Sequence, residues 1–520
     1  MASKAHDTQI DTVFAEEVGD GSHELKKGTP EDRADMYRMG KVQELNRGFR
    51  FMSIFSFCCI LMSTWEVQFP ISPIALVNGG TGGYVWAFFL SWIGFLIINT
   101  SLAEMGSMAP TTGGQYHWIS EFAPRQYQKI MSYLMGWICV LGWQAMCATS
   151  AYLAGTQIQA LVALNYPNYV PETWHGSLLT IAVAAYGVIF NTWLAKKLPL
   201  VEGLVLVIHI LGFFGILVPL WVLSPRTDAK AVFTSFNNGG GWNNMATSFV
   251  AGISAGIGPL LGADAAVHMA EELQDAARVV PRSMVWTTFF NGLFGWIMVI
   301  SYCFCLGSLD VLESPYGAYI QVFYNSTKST GATSAMVVII IVMVIFCNLT
   351  MIATASRQLF AFARDDAIPF HNWFAHVRPG WDVPFNSVIT TFITTSLLSL
   401  IGIGSAVALN SILSLTTVAI LTSYICSIGC IIWRRLTNQP MLPSKFDLGK
   451  WGLPINIVSQ VFLVFFLVAT FFPPVPNPVP ETMNWSIVIY GATILFSLAY
   501  YFFYGRHTYA GPVEYVRKLE

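Results

Sequence analysis

The sequence predicts an all-α polytopic membrane protein that crosses the bilayer about twelve times. Three observations predict it. Of 520 residues, 54% are hydrophobic and only 11% are charged, where a soluble globular chain carries roughly 25% charged residues. Apolar runs of spanning length, about 20 residues each, follow one another from residue 50 to residue 504. Threaded alternately through a membrane, these runs leave all but Arg226, Lys230 and Lys328 of the 27 lysines and arginines on one side, the bias of cytoplasmic loops.

Taken in order, residues 1–46 interleave acids and bases with few aromatics and read as a disordered cytoplasmic tail. They are too polar for a cleavable signal peptide. The expected spans lie near 50–77, 84–107, 130–163, 176–194, 200–223, 245–272, 284–307, 333–362, 386–403, 406–433, 453–473 and 485–504. Span 1 is interrupted at Met62-Ser63-Thr64-Trp65-Glu66, where hydroxyls and an acid enter an apolar run. Span 5 starts beside Glu202, read as a solvated or paired end charge, and carries a lone histidine, His209. Span 6 opens as an apolar helix and breaks at Ile257-Gly258-Pro259 and Gly262. It then places Asp264, Glu271 and Glu272 within or just beyond the same run, ahead of Arg278 and Arg282. Lipid satisfies neither free backbone groups nor charges, so a broken helix bearing acids is expected only where it lines a cavity. The loop 309–332 holds a glycosylation sequon at Asn325 on the side opposite the tail. Residues 506–520 form a cytoplasmic C-terminal tail, and both termini are expected inside.

Spans 1 and 6 are the first helices of two five-helix blocks, 47–223 and 224–435, with two further spans in 436–505. Five is odd, so the second block is inverted in the membrane. Matching breaks in inverted repeats point to a central binding site at the bilayer midplane.

Three long stretches resemble a known group. SLAEMGSMAPTTGGQYHWISEFAP (101–124), GADAAVHMAEELQDAARVVPRSM (262–284) and ASRQLFAFARDDAIPF (355–370) look like motifs of amino acid–polyamine–organocation permeases. The wording TWE in span 1 and HMAEE in span 6 is most similar to the fungal amino acid/choline transporter family, which includes GABA and choline permeases. The resemblance covers the chain beyond about residue 45. It implies a LeuT-type fold, a 5+5 inverted repeat plus two helices.

Site roles are assigned within that frame. The half-helix starting near Glu66 presents N–H groups suited to a carboxylate. Related permeases have a glycine-containing break there, and this chain departs from them: an ionised Glu66 would attract an ammonium group, with Trp65 as a cation–π face. The bland alternative is a Glu66 that faces a neighbouring helix. The substrate set is therefore Met62, Ser63, Thr64, Trp65, Glu66, Ile257, Gly258, Pro259, Gly262 and Asp264, although Asp264 is equally a cap for the second half of span 6. Glu271 and Glu272, beside Arg278 and Arg282, read as a salt-bridged inner gate. Glu104, Arg357, Arg364 and the Thr111–Tyr116 loop shape the same mouth. The resemblance places His209 where some proton-coupled relatives carry a coupling lysine, and histidine titrates within the physiological range. His209 is thus the expected proton carrier, against the alternative of a packing residue.

The nine cysteines lie in apolar runs without metal-ligand spacing and read as packing residues. There is no nucleophile motif and no phosphate-binding glycine loop, so an enzyme and an ATP-driven pump are both disfavoured. The net charge of −2 favours no nucleic acid partner. The expected function is proton-coupled import, at the plasma membrane, of an amino acid or related ammonium-bearing solute such as GABA. The proton gradient replaces any cofactor, and the expected partners are the small solute and the bilayer, without an obligate protein. Choline-like amines or polyamines are the alternative cargo, and a transporter-like nutrient sensor is the alternative of another class.

Overall fold

The computed structural model describes residues 28–377, 380–509 and 511–512. Among them the architecture is helical throughout, with one isolated parallel bridge between Phe49 and Leu273. Twelve helical units are long and apolar enough to cross a membrane: Phe51–Val77, Gly80–Met108, Gln128–Asn165, Thr173–Asn191, Ala195–Leu223, Met245–His268, Ala276–Cys305, Thr330–Arg364, Phe385–Gly404, Ser414–Leu436, Gly449–Thr470 and Ser486–Thr508, here spans 1 to 12. An even number returns the chain to the face where span 1 begins, called the terminal face below. Lys129 at the start of span 3 accordingly donates to the carbonyl of Arg506 at the end of span 12.

Burial sorts the spans into a centre and a rim. In span 6, 83% of the apolar window is buried and in span 1, 78%, against 17% in span 12. The broken helices are therefore the ones kept from lipid, as their free backbone groups require. Corresponding members of the two blocks pack on one another: span 1 on 6, 2 on 7, 3 on 8 and 4 on 9. Spans 11 and 12 lie outside these pairs and lean on spans 2, 3 and 10.

Two tail expectations are corrected. Residues 28–46 are ordered. Pro30–Arg38 is a helix with Pro30 at its start and a reciprocal cap between Thr29 and Asp32. Composition suggested disorder because it counts charges without their partners, and these charges have partners. Asp32 pairs with Arg47 at 3.3 Å and accepts from the N–H groups of Asp275 and Ala276 at the start of span 7. Lys41 pairs with Asp365, and Met36, Met39 and Leu45 are buried. At the other end, span 12 runs on through Arg506–Thr508, and Tyr509 is buried with its hydroxyl on Ser132. Residues 1–27, Arg378 and residues 513–520, which also entered the tail and charge readings, lie outside the described residues.

Candidate substrate site and its closures

Span 1 divides into Phe51–Met62 and Thr64–Val77 about Ser63, which takes the left-handed conformation at φ +38°. A non-glycine residue there is uncommon. The Ser63 hydroxyl donates to Ile60 O at 2.6 Å, which satisfies one carbonyl freed by the turn. Span 6 runs as helix to Ile257, tightens into a 3₁₀ turn at Gly258–Leu260, extends at Leu261, and resumes at Ala265. Gly262, at φ +103°, makes the second bend; a Cβ there would stand 2.4 Å from Leu61 Cδ2. The two breaks touch, with Thr64 Oγ1 donating to Pro259 O at 2.7 Å.

Beside them lies a cavity of about 290 Å³ between spans 1, 3, 6, 8 and 10. Its walls include Met62, Gly258 and Pro259 of the expected set, with Met146, Tyr152, Cys347 and Met351. Among the described residues no charged side chain lines it. Toward the face opposite the termini its lining becomes accessible: Ile74 is exposed, and Ile71, Tyr152 and Thr156 are half-buried. Beyond its wall toward the terminal face stand Trp143, His268, Asp264 and Tyr424, all buried. The cavity is thus closed toward the termini and approached from the other side.

The other expected substrate residues stand behind these walls. Glu66 is fully buried, and its Oε1 lies 2.6 Å from His209 Nδ1; its Oε2 has no partner. Trp65 packs against the His209 and Phe213 rings rather than facing the cavity. The two residues that sequence reading assigned separately, to ammonium binding and to proton carriage, are thus one pair. Asp264 neither caps the following helix nor reaches the cavity. It accepts from Gln115 Nε2 at 2.6 Å and Tyr424 OH at 2.5 Å, and His268 Nε2 lies 3.6 Å away. His268, which sequence reading passed over, accepts from Trp143 Nε1 and contacts Thr112 O through its other nitrogen. Its i, i+4 spacing from Asp264 was the available signal.

The gate acids are placed with different cations from those expected. Glu271 makes two hydrogen bonds with Arg364, at 2.8 and 2.7 Å, and Glu272 accepts from Arg357 at 2.7 Å. Arg278 and Arg282 are exposed, and Arg278 faces Asp275 at 3.6 Å. The reason is local: Leu273 is extended and Asp275 left-handed, so span 7 starts in a new direction and turns its arginines outward. Burial pushes the Glu271 carboxyl up, but the charge and hydrogen bonds of Arg364, with Lys41 and Arg47 behind, bring it down to about 2. Around this core, Tyr116 OH donates to Asp365, Arg435 pairs with Glu104 at 2.6 Å, and Arg47 donates to the carbonyls of Ala270 and Leu273. Glu202 is a further correction. It is fully buried, and neither carboxylate oxygen has a hydrogen-bond partner. It lies one helical turn further inside span 5 than an end charge would.

The remaining expectations concern the periphery. Asn325 sits half-buried on the helix Ala318–Thr327, its Oδ1 accepting from Gln321. The nine cysteines are all free, and no cluster suited to a metal is found among the described residues.

Comparison with known proteins follows the same lines. A family model described as amino acid permease matches residues 51–493. An amino acid/polyamine transporter, so described as putative, of Macrophomina phaseolina is 29% identical over 82% of this chain and 95% of its own. An amino-acid permease of Arabidopsis thaliana is 28% identical over 92% of this chain and 95% of its own. A choline transporter of Saccharomyces cerevisiae is 28% identical over 89% of this chain and 82% of its own.

Proposed function

Because the chain belongs to the amino acid permease family, we propose that it is a proton-coupled importer of an amino acid or related ammonium-bearing solute such as GABA. The observation that carries this reading is the Glu66–His209 pair, placed behind the point where two broken spans meet beside a cavity. A substrate ammonium is held by carbonyls left free at the breaks, and a carboxylate by the N–H groups that open the second half of span 1. The pair behind the wall takes the proton: His209 accepts it and Glu66 compensates the imidazolium. The excess of lysine and arginine at the terminal face supports a cytoplasmic position for that face, with the cavity opening outward in a protein of the plasma membrane.

Choline-like amines are the second reading. A cavity walled by thioethers, a thiol and Tyr152, without an acid, suits a quaternary ammonium as well as a zwitterion, and one relative is a choline transporter. The same lack of acids disfavours polyamines, whose several charges need several partners.

Purified protein in proteoliposomes with an imposed pH gradient tests the proposal. Uphill uptake of radiolabelled GABA or a neutral amino acid is expected, competed by its own class and reduced at least tenfold in His209→Gln. Uphill uptake of choline alone would move the cargo to the second reading. No uptake of any member of the panel would leave a sensor. A His209→Gln protein whose uptake still follows the pH gradient would remove His209 from coupling.

A further inference from the structure

Glu202 has no place in the site so far described, and its surroundings are unusual. It is fully buried in span 5, and neither oxygen has a donor. Among the described residues no lysine, arginine, histidine or second acid is ion-paired or hydrogen-bonded to it. Two buried thiols, Cys58 of span 1 and Cys347 of span 8, feel its charge. The nearest cations on its own span, Lys196 and Lys197, are exposed at the terminal face. A bare carboxylate in such a place has neither counter-charge nor hydrogen bond, and such residues inside membranes are kept for function.

Its register supplies the role. Glu202 and His209 are seven residues apart on an unbroken helix, so they share one face and stand about 10.5 Å apart along the axis. Glu202 is the one nearer the terminal face. The gap between them is not purely apolar. Cys347 is influenced by both Glu66 and Glu202 and by the Ser63 hydroxyl; its thiol donates to Leu61 O at 2.9 Å, and it also lines the cavity. The Cys347 thiol thus stands within electrostatic reach of both Glu66 and Glu202, in the wall of the cavity.

We propose that Glu202 is the inward proton acceptor of the coupling path, a second proton-binding site below His209. The inference rests on the reading of His209 as proton carrier. The His209 imidazolium gives up its Nε2 proton while Nδ1–H stays on Glu66, and the Glu202 carboxylate takes that proton, giving neutral imidazole and a carboxylic acid with Glu66 still ionised. Water provides the link where side chains do not reach. When the terminal face opens, water entering from that side takes the proton from Glu202 and restores the carboxylate.

The test uses full-length protein in pyranine-loaded proteoliposomes, with radiolabelled GABA as the probe, or choline if GABA is not carried. Glu202→Gln is expected to lose at least tenfold of both gradient-driven accumulation and substrate-linked proton entry, and to retain counterflow exchange. Glu202→Asp is expected to recover part of both. If Glu202→Gln accumulates substrate and admits protons like the unmodified protein while His209→Gln does not, the relay is wrong and the His209 reading stands. If both variants follow the gradient, both readings fail. If Glu202→Gln and Glu202→Asp lose counterflow together with coupling, Glu202 is a packing residue and the relay is overturned.

Discussion

Glu271 is the residue on which the closure toward the terminal face converges. It is fully buried, doubly bonded to Arg364, and also accepts from the Thr112 N–H at 3.3 Å. Removing one partner of a buried pair leaves the other uncompensated and costs about 3–5 kcal/mol. Arg364→Ala should therefore lower thermal stability in nanodiscs far more than Arg278→Ala, whose exposed side chain should shift it little. The pH dependence has a definite sign. The carboxyl is held at about 2 against an ordinary 4.5, so its contribution is complete above pH 4.5 and drains away as pH falls toward 2. Unfolding temperature should be flat between pH 5 and 7 and decline below, and Glu271→Gln should reduce that decline. Two glycines of span 6 make a second contrast. A methyl at Gly258 meets open space, whereas one at Gly262 meets Leu61 and an unfavourable φ, a strain of about 1–3 kcal/mol. Gly258→Ala should fold normally and raise KM severalfold by entering the cavity; Gly262→Ala should lower the folded yield.

At the scale of elements, the segment 28–47 is a strap across the closed face. It reaches span 7 through Asp32, the end of span 6 through Arg47, and the end of span 8 through Lys41. Asp32→Ala removes a cap worth about 1 kcal/mol and also the counter-charge of Arg47. Limited proteolysis should then cut within 28–46, where the unmodified protein resists, while spans 1 to 12 stay intact. This strap was illegible in the sequence because its charges look solvated until residues more than two hundred positions away are brought beside them. The same limit explains Glu66. The break at Ser63 and the break at Gly258–Gly262 were readable, since each violates the local rule for an apolar helix. That His209 would meet Glu66 depends on how spans 1 and 5 rotate against one another, across 143 residues. Likewise Arg278 and Arg282 were near Glu271 in sequence, but the partners chosen lie 85 and 93 residues away. Glu202 reads as an end charge because Lys196, Lys197 and Pro199 just before it look like the solvated start of a helix.

For the molecule as a whole, the cavity is reached from one face only, and transport requires the other face to open in turn. Cysteine labelling reads this directly. Thr156→Cys, at the half-buried wall of the cavity, should react with an impermeant thiol reagent from the face opposite the termini. Thr112→Cys, buried in the floor, should resist it from both faces until substrate and a pH gradient are supplied. Equal reactivity of the two positions at rest would contradict a closed floor.

The strap also sets an order of events during biosynthesis. Lys41 leaves the ribosome 324 residues ahead of Asp365, which at about 5–20 residues per second is a wait of roughly 15–65 s. Throughout that interval Lys41 has no partner at the end of span 8, and spans 1 to 8 must insert without that contact. Completion of the strap's docking therefore reports that span 8 has arrived, and a chain truncated before Asp365 would leave Lys41 unpaired at the terminal face, a ready mark for quality control.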